Sequence, residues 1–137
     1  MGSFELLEHT AEVGLRIEGE TLEEVFAQAA LGLLTIMTEP ESVQERLSRT
    51  VEATAPDREA LLVAWLNELI YLFETQGLLF RRCRIQHLED TALSAECTGE
   101  PFDPARHTIR CGVKAATYHL LEVRGNGRWR ARVLLDI

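Results

Sequence analysis

A single lysine stands among the fourteen basic residues of this 137-residue chain: Lys114, with Tyr118 and His119 close behind it, while every other basic side chain is an arginine. A lysine ammonium is a compact, strongly hydrated point charge with three donors, unlike the planar arginine fork. Its position in Gly112-Val113-Lys114-Ala115-Ala116-Thr117-Tyr118-His119 therefore marks a candidate site. An arginine-biased composition with one exception accounts for the same observation. The acidic candidates are Glu12, which follows His9-Thr10-Ala11, and Asp136, which precedes Ile137 at the end of the sequence. Two carboxylates with carbonyls and water suit a hard cation such as calcium, magnesium or manganese. A salt bridge between Lys114 and one of the carboxylates explains these residues more simply, and spacing alone favours it over a metal.

Convergence of these groups depends on strands. Residues 110–124 and 128–137 alternate as two strands about Gly125-Asn126-Gly127, a hairpin signal. Matching the apolar faces through a three-residue loop places Asp136 across from Ala116, with Lys114 and Tyr118 as diagonal neighbours. His119 shares the other face with Thr117 and Leu121 and reads as a core histidine. Phe4 to Glu8 and Val13 to Ile17 read as two more strands, with His9 to Glu12 a polar linker. If the second of these neighbours the hairpin, Glu12, Asp136 and the chain end at Ile137 meet.

Two helices must support the sheet. Thr21-Leu22-Glu23-Glu24 is a capping box that opens a helix running to about Met37, before Pro40. Glu39 to Leu47 reads as a polar loop and Arg49 to Thr54 as a strand. Asp57 caps a second helix whose apolar face is broad (Leu61, Leu62, Trp65, Leu66, Leu69, Ile70 and Phe73), and Gly77 ends it. Asn67 and Glu68 read as its exposed side. Strands around Cys83–His87 and Leu93–Cys97 follow, then a loop over Gly99–Pro104. The expected fold is a single α+β domain over residues 1–137, two helices on mostly antiparallel sheet.

Composition narrows the function. A hydrophobic fraction of 46% and a charged fraction of 26% describe an ordinary globule. A formal net charge of −8 argues against a general nucleic-acid or anionic-membrane surface, although Arg81, Arg82 and Arg84 cluster, as do Arg124, Arg128, Arg130 and Arg132. Cys83, Cys97 and Cys111 are odd in number and far apart in sequence, which points to neither a zinc site nor a disulfide framework. The chain opens without a basic-then-apolar leader and carries no apolar run of membrane-spanning length, so a cytoplasmic location is expected. His87 and His107 are expected to be structural or surface residues.

Three segments together carry a resemblance. His9-Thr10-Ala11-Glu12-Val13-Gly14, then Leu61 to Leu72 (LLVAWLNELIYL), then Val113 to His119, with Asp136-Ile137 at the end, are similar to the archease family over essentially the whole chain. The family's first motif usually ends in Asp where this sequence has Glu12, so the charge is kept on a side chain longer by one methylene. The resemblance implies a protein cofactor, not an enzyme. Archeases assist the GTP-dependent RNA ligase of tRNA splicing and RNA repair, promoting guanylylation of the ligase and multiple turnover, and they meet RNA only through the ligase. It further implies that Glu12 and Asp136 bind metal beside Lys114. Tyr118 and His9 are additional candidates for partner contact. Two other classes compete: a small metal-dependent phosphoester hydrolase working through Glu12 and Asp136, and an RNA-binding module using the hairpin arginines. Few carboxylates and histidines gather for the first, and the acidic balance tells against the second.

Overall fold

The computed structural model describes residues 1–9 and 12–137, without the side chains of Leu7, Glu8, His9 and Asn126. Seven strands and two helices follow one another as β1 (Ser3–His9), β2 (Glu12–Gly19), α1 (Leu22–Met37), β3 (Leu47–Thr54), α2 (Arg58–Gln76), β4 (Leu78–Glu89), β5 (Ala92–Pro101), β6 (Ala115–Asn126) and β7 (Arg128–Asp136). The strands form two antiparallel sheets, ordered β1-β2-β7-β6 and β3-β5-β4, and both helices pack against both sheets. This is the expected α+β architecture. Among the described residues no helix is long and apolar enough to cross a membrane.

Local chemistry sets the helix ends where the sequence places them. The Thr21 hydroxyl accepts the Glu24 N–H at 3.1 Å, and the Glu24 carboxylate reaches back to the Glu20 N–H at 2.7 Å. Asp57 accepts the Ala60 N–H at 2.8 Å. At the far end of α2, Gly77 adopts φ 68°, a left-handed conformation that costs glycine nothing and directs its N–H at the Leu72 and Phe73 carbonyls. The apolar face of α2 is the centre of the core. Trp65 is fully buried and its indole N–H donates to the Phe26 carbonyl at 2.9 Å, which ties the two helices together. Leu15, Ile17, Phe26, Leu61, Leu62 and Leu135 are also wholly buried. Each such side chain contributes about 1.5–3 kcal/mol.

Several expectations are corrected. The segment Arg110–Lys114 is not strand; β6 begins at Ala115. Arg110 instead serves the C-terminus of α1, donating to the Thr35 carbonyl and, at 2.8 Å, to the Thr38 carbonyl. A helix without a basic residue in its last turn thereby obtains one from a distant loop. The expected loop at Gly99–Pro104 is strand as far as Pro101. Gly99 permits this, because a Cβ there would lie 1.9 Å from the Leu79 carbonyl oxygen. The loop between Glu39 and Leu47 contains a tight helical turn, Pro40–Ser42, and gives way to β3 at Leu47. Thr10 and Ala11 of the expected first linker lie outside the described residues, while His9 belongs to β1 and pairs with Glu12.

Candidate functional site

β2 lies beside β7, so the condition for convergence is met: Glu12 and Asp136 are directly paired across these strands. Directly opposed side chains share one face, with Cβ atoms about 4.5–5.5 Å apart. Two like charges at that spacing disfavour each other. On its other side Asp136 pairs with Ala115, and its carbonyl accepts the Lys114 N–H at 2.8 Å. Glu12, Asp136 and the start of β6 thus form one row, with the half-buried Ile137 immediately beyond it.

The lysine is placed but not paired. Lys114 is exposed, and no ion pair within 4.0 Å joins it to a carboxylate among the described residues. The Lys114 salt bridge raised as an alternative is therefore not what the structure contains. The partner of Glu12 is His119, whose Nδ1 lies 3.5 Å from the Glu12 Oε2. His119 is 60% exposed, so its assignment to the core was wrong.

The reason is a long irregularity in β6. Thr117 pairs with Leu134 and Glu122 with Arg132, so residues 118–121 face Val133 alone. The three extra residues are an odd number, which turns the start of β6 over relative to the hairpin end. Asp136 consequently meets Ala115, not Ala116, and Ala116 is buried. At the hairpin itself the loop is shorter than expected: Asn126 pairs with Arg128 and only Gly127 lies between them, at φ 79°. Leu120 takes φ 54°, a left-handed conformation that a branched side chain adopts at a cost of about 1–2 kcal/mol. Arg132 holds it, its Nε donating to the Leu120 carbonyl at 2.8 Å while its Nη2 reaches Glu122 at 3.3 Å. The bulge turns Tyr118 and Leu120 outward, to 66% and 47% exposure. Tyr118 is thus no diagonal neighbour of Asp136 but part of a projecting segment beside the carboxylate row.

Asn67 was expected on the exposed side of α2 and is instead half-buried. Its Oδ1 accepts the Ala116 N–H at 2.7 Å and its Nδ2 donates to the Ala116 carbonyl at 3.5 Å. A side-chain amide thereby stands in for a neighbouring strand and fixes the start of β6 against the helix. The signal in sequence was a lone Asn amid the apolar Trp65, Leu66, Leu69 and Ile70. The side chain of His9 lies outside the described residues.

The arginine clusters are largely matched by carboxylates: Arg132 and Arg124 with Glu122, Arg130 with Glu18, Arg82 with Glu45 and Arg84 with Glu96. Among the described residues no group of three or more His, Cys, Asp or Glu side chains is placed to hold a metal ion. What the tip offers is two opposed carboxylates and backbone carbonyls, a hard-oxygen donor set.

Comparison with known proteins identifies the family and the fold. The family model described as "Archease protein family (MTH1598/TM1083)" matches residues 4–137. A protein archease of Methanosarcina mazei is 38% identical over 139 residues, covering 98% of this chain and 95% of its own. One from Thermococcus gammatolerans is 40% identical over 142 residues, with both chains covered in full. The solution structure of Methanobacterium thermoautotrophicum protein 1598 superposes with a TM-score of 0.80 at 36% identity, covering 98% of each chain. The crystal structure of a Thermotoga maritima archease, described as a possible chaperone, shares the fold, with a TM-score of 0.64 at 23% identity over 96% of this chain and 94% of that one. With the family model spanning residues 4–137, the chain belongs to the archease family.

Proposed function

We propose that this chain is a non-enzymatic activator of a GTP-dependent tRNA-splicing RNA ligase, and that the Glu12–Asp136 tip is the part that acts on the ligase. The observation that carries this reading is the direct cross-strand pairing of the two carboxylates, with the Lys114 backbone tied to Asp136. Folding that leaves two like charges opposed fits a site kept for a partner or cation better than one kept for stability.

Glu12, Asp136 and Ile137 are the residues that would hold a divalent cation of the calcium, magnesium or manganese class. Such an ion would neutralise the opposed charges and present a Lewis-acidic centre to a phosphate-rich pocket. The longer Glu12 side chain reaches this position while also meeting His119 at 3.5 Å. The chain's own contribution is positional. Asn67 and the Lys114–Asp136 backbone bond fix the row, and the exposed Lys114 supplies a cation beside it. The projecting Tyr118 and Leu120 offer an aromatic and an aliphatic anchor for the partner. His9 adjoins the row through its β1 pairing with Glu12.

The test is ligation under multiple turnover, with limiting ligase from the same organism, excess broken RNA, GTP and divalent metal. Wild-type protein should lift product well beyond one equivalent of ligase, and Asp136→Ala should not while keeping a native circular-dichroism spectrum. Equal stimulation by a folded Asp136→Ala protein contradicts the assignment. Phosphoester hydrolysis by the pure protein, lost on chelation, would replace it with the hydrolase reading.

A further inference from the structure

We propose that Cys83 and Cys97 form a reversible cross-strand disulfide, a redox modification site whose oxidant is a small-molecule disulfide of the glutathione class. Far apart in sequence, the two cysteines are direct partners across β4 and β5. The kind of pair follows from the backbone. Gly99 directs its carbonyl toward the β3 side, accepting the Arg46 N–H at 2.9 Å. The β3–β5 register is unbroken from Leu47↔Gly99 to Thr54↔Ala92, so Cys97, two residues earlier, also directs its backbone bonds to β3. Toward β4, Cys83 and Cys97 are therefore a non-hydrogen-bonded pair, the close kind with Cα atoms about 4.5 Å apart. That separation lies just inside the window of about 4.4–6.8 Å that a disulfide spans. Position at its short end brings strain and easier reduction.

Access differs between the two sulfurs. Cys97 is wholly buried, while Cys83 is half-buried and lines a surface groove between α1 and β4 with Gln28, Leu31, Arg81 and Arg82. Arg81, beside an Arg82 that is shared with Glu45, suits an oxidant that carries carboxylates. The facing Cys97 thiol, with burial, pushes the Cys83 thiol well above its ordinary range, so the first step is slow at neutral pH. In that step the Cys83 thiolate, its proton given to water, attacks one sulfur of the oxidised disulfide. The bond between the reagent's sulfurs breaks, and one thiolate leaves and takes up a proton. Cys97, deprotonated in turn, attacks the Cys83 sulfur, forming the protein disulfide and expelling the second thiol. The protein loses two hydrogens and the reagent gains them.

The full-length protein is incubated under native conditions with excess oxidised glutathione, then denatured, alkylated and mapped as peptides. The expected result is a Cys83–Cys97 linked peptide, a thermal midpoint raised by about 5–10 °C, and reversal of both by dithiothreitol. Cys111→Ser should retain the effect. Cys97→Ala should abolish it, and because its site is in the core, Cys83→Ala is read beside it. Alkylation of both Cys83 and Cys97 after prolonged oxidation of the Cys111→Ser protein, or a disulfide that includes Cys111, overturns the proposal. The outcome is independent of ligase activation, since the pair lies in the other sheet from the carboxylate row.

Discussion

The molecule holds two carboxylate sites built on opposite principles. Glu100, on β5, is 1% exposed and saturated with donors: both terminal guanidinium nitrogens of Arg106 (Nη1 at 3.1 Å), His107 Nε2 at 2.9 Å and the Gln44 N–H at 2.7 Å. His107 is itself fixed, since its Nδ1 accepts the Asp103 N–H at 2.8 Å and so leaves its proton on Nε2, facing Glu100. Glu12 and Asp136, by contrast, face each other, and among the described residues Glu12 meets only His119, at 3.5 Å. A charge that the chain compensates internally serves the fold. Charges that the chain sets against each other serve, on the proposed reading, something outside it. The Glu100 cluster clamps the loop that leads from β5 toward Lys114, so the first site helps to position the second.

The largest effect should come from breaking the closed site. Glu100→Ala leaves the His107 N–H and the Gln44 N–H without an acceptor and Arg106 with only the exposed Asp103 as partner, at a cost of about 3 kcal/mol in urea denaturation. The pH dependence has a definite sign. The Arg106 guanidinium, with the Gln44 and His107 hydrogen bonds, holds the Glu100 carboxyl down to about 2. A depressed carboxyl stabilises the fold above its unfolded value of about 4.3 and loses that contribution as pH falls through the folded value. Thermal midpoints of wild type should therefore drop more steeply between about pH 4.5 and pH 2 than those of Glu100→Gln. Parallel curves would show that the cluster contributes little.

A middling effect is expected where the open site is joined to the core. Asn67→Leu removes both hydrogen bonds to Ala116 and leaves a half-buried N–H unmet, which should lower stability by about 1–2 kcal/mol. Ligase stimulation should fall further than that loss accounts for, because the start of β6 loses its anchor. The smallest effect on stability, and one of opposite sign, belongs to the open site. Glu12→Gln removes one of two opposed charges and should leave stability unchanged or raise it by about 0.5 kcal/mol. A loss there as large as that of Glu100→Ala would erase the distinction between the sites.

Sequence patterns disclosed the parts governed by local rules. Thr21, Asp57 and Gly77 mark helix ends because their side chains or backbone act within one turn. The carboxylate convergence was legible as a condition, because period-two patterning shows which residues share a face but not which strands are neighbours. The β6 bulge was hidden, since nothing in Tyr118-His119-Leu120-Leu121 signals a left-handed leucine held from Arg132 on the next strand. That one irregularity moved His119 from the expected core to the Glu12 carboxylate. Glu100 escaped notice because Gly-Glu-Pro reads as a turn, whereas its role depends on Arg106, His107 and Gln44 arriving from other segments. Cys83 and Cys97 looked unrelated for the same reason.

The most direct test sets the two sites against each other in one ligation assay. Limiting ligase is given excess broken RNA with wild type, Asp136→Asn or Glu100→Gln, each at a temperature where all three are folded. Asp136→Asn, as stable as wild type, should fail to stimulate turnover, while the less stable Glu100→Gln should still do so. Stimulation by Asp136→Asn equal to that of wild type would contradict the account and move the working surface away from the carboxylate tip.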